Sequence, residues 1–85
     1  MLRWTNWTLE HIKKHNVTRK EVEEAFSLRS IKTETYKNRL LALGKTKKGR
    51  LLTIIVYNEK KPFVISARDM SKKERRIYYE QTKTN

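Results

Sequence analysis

The stretch "RLLALGKTKKGRLLTIIVY", residues 39–57, leaves this chain few ways to fold. Two runs dense in Leu, Ile and Val flank the short polar link "KTKKGR". A link that short joins antiparallel neighbours, with Gly49 supplying the left-handed residue of a bulged hairpin. The second run is apolar on both sides, Leu51 and Ile55 on one and Leu52, Ile54 and Val56 on the other. Both faces of that strand therefore call for cover, by helices or by another chain. Upstream, "SIKTETY" (residues 30–36) alternates and is rich in β-branched residues, the pattern of an edge strand. Downstream, Glu59, Lys60 and Lys61 make a turn. Pro62 then opens "PFVISAR" at the first-residue position that a strand tolerates for proline.

Helical punctuation brackets these four strands. A first short helix starts at Asn6 or Thr8 and reaches about His15, with Leu9 and Ile12 inward. Asn16 can take the left-handed conformation that ends it. Thr18 and Glu21 form a capping box, Val17 can staple onto Val22, and a second helix follows from about Arg19 to Ser27. Ser71 and Glu74 repeat the box and start a third helix over about residues 72–81. The order α-α-β-β-β-β-α predicts an α+β fold, a four-stranded antiparallel meander sheet with helices packed on it. Residues 1–85 make one domain, near the lower size limit for an independent core.

Charge narrows the function. Twenty-one Lys and Arg against nine acids give +12. Residues 1–42 hold nine basic and five acidic residues (+4), and residues 43–85 hold twelve and four (+8). A polycation of this kind attracts nucleic acid, an anionic membrane or an acidic protein. There is no cysteine, no apolar run of membrane-spanning length and no signal-peptide core, so the chain reads as a cytoplasmic protein. Its two glycines, Gly44 and Gly49, fall in or beside the hairpin and make no phosphate loop. His11 and His15 are spaced as two metal ligands on a helix, but no clear third ligand accompanies them, and no metal or cofactor is expected.

The segment "SARDMSKKERRIYYE" carries the chemistry. It sets Arg68 at a strand end, with Arg75, Arg76, Tyr78 and Tyr79 on the helix just after it. Glu74 and Tyr78 share a helix face, as do Arg75 and Tyr79. Arginine forks onto phosphate, and tyrosine stacks on a base or moves a proton. Cleaving RNA without metal requires a deprotonated 2′-hydroxyl, stabilised phosphorane charge and a protonated leaving oxygen. From composition alone, the same segment is a solvated basic helix anchored by Ile77 and a part-buried tyrosine.

"KHNV", "NRLLALGKTKKGRLLTIIVY" and "VISARDMSKKERRIYYE" together resemble the BrnT-type toxins, members of the RelE-like group of toxin–antitoxin ribonucleases. The likeness runs from about Trp4 to Glu80. It implies RNA cleavage that arrests translation, and a protein antitoxin as partner. The matching positions are Lys14, His15, Arg39, Gly44, Gly49, Arg50, Ser66, Arg68, Glu74, Arg75 and Tyr78. Relatives carry glycine where Asn16 stands and glutamate where Asn38 stands. The site so implied has Arg68 and Arg75 on the scissile phosphate and Tyr78 as the proton-transfer or stacking group. Glu74 stands beside them, and His15 is an alternative base. Arg39, Lys45, Lys47, Lys48, Arg50, Arg76 and Tyr79 are the expected RNA contacts. A binding module without catalysis, using the same basic surface for nucleic acid or a protein, is the other reading.

Overall fold

The computed structural model describes residues 2–83. Its elements are α1 (Asn6–Lys13), α2 (Arg19–Ala25), β1 (Ile31–Thr35), β2 (Arg39–Lys45), β3 (Leu51–Tyr57), β4 (Phe63–Asp69) and α3 (Lys72–Thr82). The strands form one antiparallel sheet in the order β1-β2-β3-β4, the meander that the short links dictate. Thr18 and Ser71 cap α2 and α3, and each accepts from the amide of the glutamate three residues on while that glutamate reaches back. Both helix starts thus satisfy donors that the first turn leaves over. Thr5, which the sequence did not single out, caps α1 by accepting from the Thr8 amide, without a glutamate reaching back.

α1 and α2 cover one face of the sheet. Ile12, Val17, Val22 and Ala25 pack there on Ala42, Leu52, Ile54, Val56, Val64 and Ala67, all buried. The inward pair expected on α1 was Leu9 and Ile12; Ile12 is buried, but Leu9 is only partly so, and Thr8 is the second inward residue. The Thr8 hydroxyl is tolerated inside because it donates to the Val64 carbonyl at 3.0 Å. α3 lies on the opposite face over Leu43 and Met70, with Tyr78 and Ile77 as its contacts. It covers only part of that face, so Leu41 and Ile55 stay half-buried and Tyr57 is exposed. Cover for both faces of β3 is therefore incomplete among the described residues.

Four backbone positions explain the glycine and asparagine usage. Gly49 has φ 92° in the β2–β3 turn, as its role in a bulged hairpin requires. Gly44 is not a turn residue: a Cβ there would sit 2.0 Å from the Ala25 carbonyl oxygen. It is the hole in β2 into which the end of α2 presses. Asn16 (φ 57°) and Asn38 (φ 58°) are both left-handed, a conformation asparagine adopts more readily than most residues. Lys37 shares that conformation at φ 59° without an asparagine's tolerance for it.

The N-terminal segment also joins the sheet. Arg3 donates its amide to the Pro62 carbonyl (2.8 Å) and accepts from the Val64 amide (3.0 Å), pairing parallel with β4. Its guanidinium reaches Glu59 and the Lys61 carbonyl. β4 therefore begins at Phe63, one residue after Pro62, with its outer side occupied at that end.

A candidate nucleic-acid interface at the end of β4

The end of the sheet formed by Lys45, Leu51 and Asp69 gathers most of the charged side chains of interest. Arg68 and Asp69 close β4 and point to opposite faces. On one side, the Arg68 guanidinium meets both oxygens of Glu74 at 2.7 and 3.0 Å. The same carboxylate accepts from the Ser71 amide (2.8 Å) and the Thr53 hydroxyl (2.9 Å). The Arg68 fork, with these added donors, holds Glu74 down at about 2, well below its ordinary 4.5. Arg68 is raised in turn by the same pair. Glu74 is thus an ionised anchor joining β3, β4 and α3. A carboxylate that acidic is a poor proton acceptor near neutrality, which weighs against a base role.

On the other side, Arg50 is fully engaged by the protein. It donates to Asp69 at 2.8 and 3.2 Å, to Glu21 at 3.2 Å, and to the Asn16 and His15 carbonyls at 2.7 and 3.2 Å. These contacts tie the β2–β3 hairpin to the α1–α2 corner and to the end of β4. The expectation that Arg50 contacts RNA does not fit this geometry, because its donors are spent on internal acceptors. Asp69 is lowered chiefly by Arg50, with His15 and Arg75 adding to the same effect. His15 and Asp69 are also joined through Arg50, whose Nη2 donates to the His15 carbonyl and to the Asp69 carboxylate at 3.2 Å each, and Arg75 directly follows Glu74 in the first turns of α3.

The far end of α3 borders a second basic place, an open hollow of about 1110 Å³ lined by Ser27, Arg29, Lys45, Thr46, Tyr78, Tyr79, Thr82 and Lys83. Tyr78 is only 7% exposed, since its ring packs with Leu43 and Met70. Tyr79 stands outside at 56% exposure, edge-on to Tyr78 at 5.9 Å. Stacking on a base is open to Tyr79 and largely closed to Tyr78.

Lys47 and Lys48 extend into solvent from the turn beside that hollow, and Arg76 is exposed on α3. Arg39 does not join them. It pairs in register with Tyr57 at the opposite end of the sheet, with its guanidinium 5.9 Å from that ring. Six residues of extended strand put it roughly 20 Å from Lys45. Arg29 and Lys83, both in the hollow, were not anticipated. Neither belongs to a local motif, and only the fold brings them beside Lys45. Among the described residues, no three His, Asp or Glu side chains are placed to hold a metal. No helix there is long and apolar enough to cross a membrane.

A small α+β meander with a cationic sheet end, two of its arginines pre-tied by carboxylates, defines the class as a small, strongly basic α+β protein. The sequence profile described as "Ribonuclease toxin, BrnT, of type II toxin-antitoxin system" matches residues 4–74. The chain belongs to this family of ribonuclease toxins, whose setting implies an RNA target and an antitoxin partner. Among solved structures, the fold is similar to that of the Brucella abortus ribonuclease toxin BrnT. That similarity has a TM-score of 0.68 at 22% identity and covers 84% of this chain and 96% of that one. No curated protein sequence matches the chain.

Proposed function

We propose that residues 1–85 act as one toxin-like domain that cleaves RNA through the 2′-hydroxyl without a metal ion, at the end of β4. The observation that carries this reading is the Arg50 bridge between the His15 carbonyl and Asp69, beside the Arg68–Glu74 pair that Arg75 follows on α3. His15, exposed at the corner that Arg50 holds, takes the 2′-hydroxyl proton. The freed oxygen attacks phosphorus, and Arg75 and Arg68 stabilise the charge that builds on the phosphorane. The bond to the 5′-oxygen then breaks, and that oxygen leaves protonated, giving a 2′,3′-cyclic phosphate. Tyr78 is the candidate acid for that proton from the hollow's wall, with Tyr79 stacking on a base. Lys45, Lys47, Lys48 and Arg76 hold the backbone by charge.

The planar fork matters at Arg68 because a lysine ammonium cannot span both Glu74 oxygens and still face a phosphate. Binding without cleavage is the second reading. It is favoured by one observation, that the Arg68 fork is already closed on Glu74. Single-turnover cleavage of one RNA in chelator, on free RNA and on ribosomes, separates the two. Wild type is expected to cleave, with Arg68→Lys, Arg75→Lys and His15→Gln slowed far more in rate than in RNA affinity. Cleavage only on addition of a divalent ion overturns the metal-free route. No cleavage under any condition leaves the binding reading.

A further inference from the structure

α1 carries a row of rings that the proposed chemistry leaves unused beyond its last member. Trp7 and His11 are four apart and share one stripe of α1, and His15 continues the spacing in the turn just past its end. The Trp7 and His11 rings lie parallel, with centroids 4.9 Å apart and planes 9° from each other. His11 then meets His15 edge-on at 5.9 Å. Trp7 is 65% exposed. Because one face of its indole rests on His11, that exposure belongs to the opposite face and the ring edge.

Core packing does not account for the row, since Trp4 and not Trp7 packs against the core cluster. Nor does the row resemble the centre of a protein–protein contact. Its neighbours Glu10, Lys13 and Lys14 are exposed and charged, and they offer no apolar ring to exclude water around the indole. A planar ligand bearing negative charge suits it better. The open indole face takes the plane, Lys14 takes the charge while Lys13 is paired with Glu10 at 3.3 Å, and the row leads to His15, whose carbonyl Arg50 joins to Asp69.

We propose that Trp7, backed by His11, is a stacking platform for an unpaired base of single-stranded RNA, and that it directs the strand along α1 towards His15. The inference rests on the reading of this chain as an RNA-cleaving toxin, and it adds the form of RNA selected. Every base has a π-face, so such a platform is tolerant of sequence. A duplex keeps its faces inside the stack and cannot use it. Stacking is also not counterion release, so its contribution should survive added salt that weakens the lysine contacts.

The test measures affinity for a labelled 2′-O-methyl oligoribonucleotide, which has no free 2′-hydroxyl to attack, as a single strand and as a duplex. Trp7→Ala is expected to weaken single-strand binding by on the order of tenfold, by a factor that stays level as salt rises. Trp7→Phe should keep part of that affinity, His11→Ala should lose part of it, and duplex binding should be unchanged in all three. Trp7 is exposed, so circular dichroism should show an unaltered fold. Equal single-strand affinity in wild type and Trp7→Ala overturns the platform, as does an equal loss for duplex. Loss of antitoxin binding in Trp7→Ala with RNA affinity intact also overturns it and assigns the row to the protein interface. Because the oligonucleotide cannot be cleaved, failure of the ribonuclease reading shows separately, as wild type that leaves natural RNA intact.

Discussion

Replacing Glu74 by glutamine keeps the size and the capping-box acceptor of the side chain but removes the charge that Arg68 grips. A fall from 4.5 to about 2 corresponds at face value to about 3 kcal/mol. The Glu74 side chain is 16% exposed and that of Arg68 39%, so solvent screens the pair. We set the expected contribution at about 1–2 kcal/mol. The sign follows from the depressed carboxyl. Above pH 4.5 both folded and unfolded states are ionised and the contribution is complete; it is lost as pH falls from 4.5 towards 2. Glu21 and Asp69 are lowered too, so acid weakens the wild type through them as well. The informative quantity is the gap between wild type and Glu74→Gln. Urea unfolding at pH 7 should show the variant less stable by about 1–2 kcal/mol, with most of that gap gone by pH 3. A gap of the same size at both pH values, or none at pH 7, would refute the electrostatic account of this anchor.

Gly44→Ala should cost about 1–3 kcal/mol or more in a thermal melt, because the added methyl meets backbone of α2 that no rotamer change can clear. Lys37→Gly should raise stability by about 0.5–1 kcal/mol by relieving a left-handed non-glycine residue; a lowered Tm would show that the Lys37 side chain contributes something else. Arg50→Lys should destabilise by about 1–3 kcal/mol in urea, since one ammonium cannot serve two carboxylates and two carbonyls. The same change should leave the salt slope of RNA binding unaltered, whereas Lys47→Ala should reduce that slope by about one; the reverse pattern would restore Arg50 as an RNA contact.

The sheet and its helices were legible because their signals are local. The hairpin of residues 39–57, the boxes at Thr18 and Ser71 and the stop at Asn16 each span only a few positions of sequence. The internal contacts of Arg50 were not legible, for the opposite reason. Its partners Glu21 and Asp69 lie 29 and 19 residues away, and one more cation at the end of a basic turn gives no sign of them. Gly44 looked like a hairpin residue until the approach of Ala25 supplied its cause. The Arg68–Glu74 pair was half legible: both residues had been selected, but not their mutual grip. The left-handed backbone at Asn16 and Asn38 gives a physical reason for asparagine at both places. Thr8 was passed over because a hydroxyl is taken as surface until a buried carbonyl is found for it.

The pairing of Arg3 with β4 also bears on how the chain can be made. Translation delivers Arg3 and Thr8 first, yet their partners are Pro62 and Val64, nearly sixty residues later. Contacts this distant close slowly, and until they close the apolar side of α1 has no strand to lie on. A ribosome that stops before residue 64 leaves Ile12, Val17 and Trp4 without Val64, a member of the cluster they share. The early part of the chain can grow its helices and its central hairpin, but it cannot seal them. Arg68 and Arg75 are added only after that seal becomes available, so a foreshortened product holds neither the finished sheet nor the cations at its end.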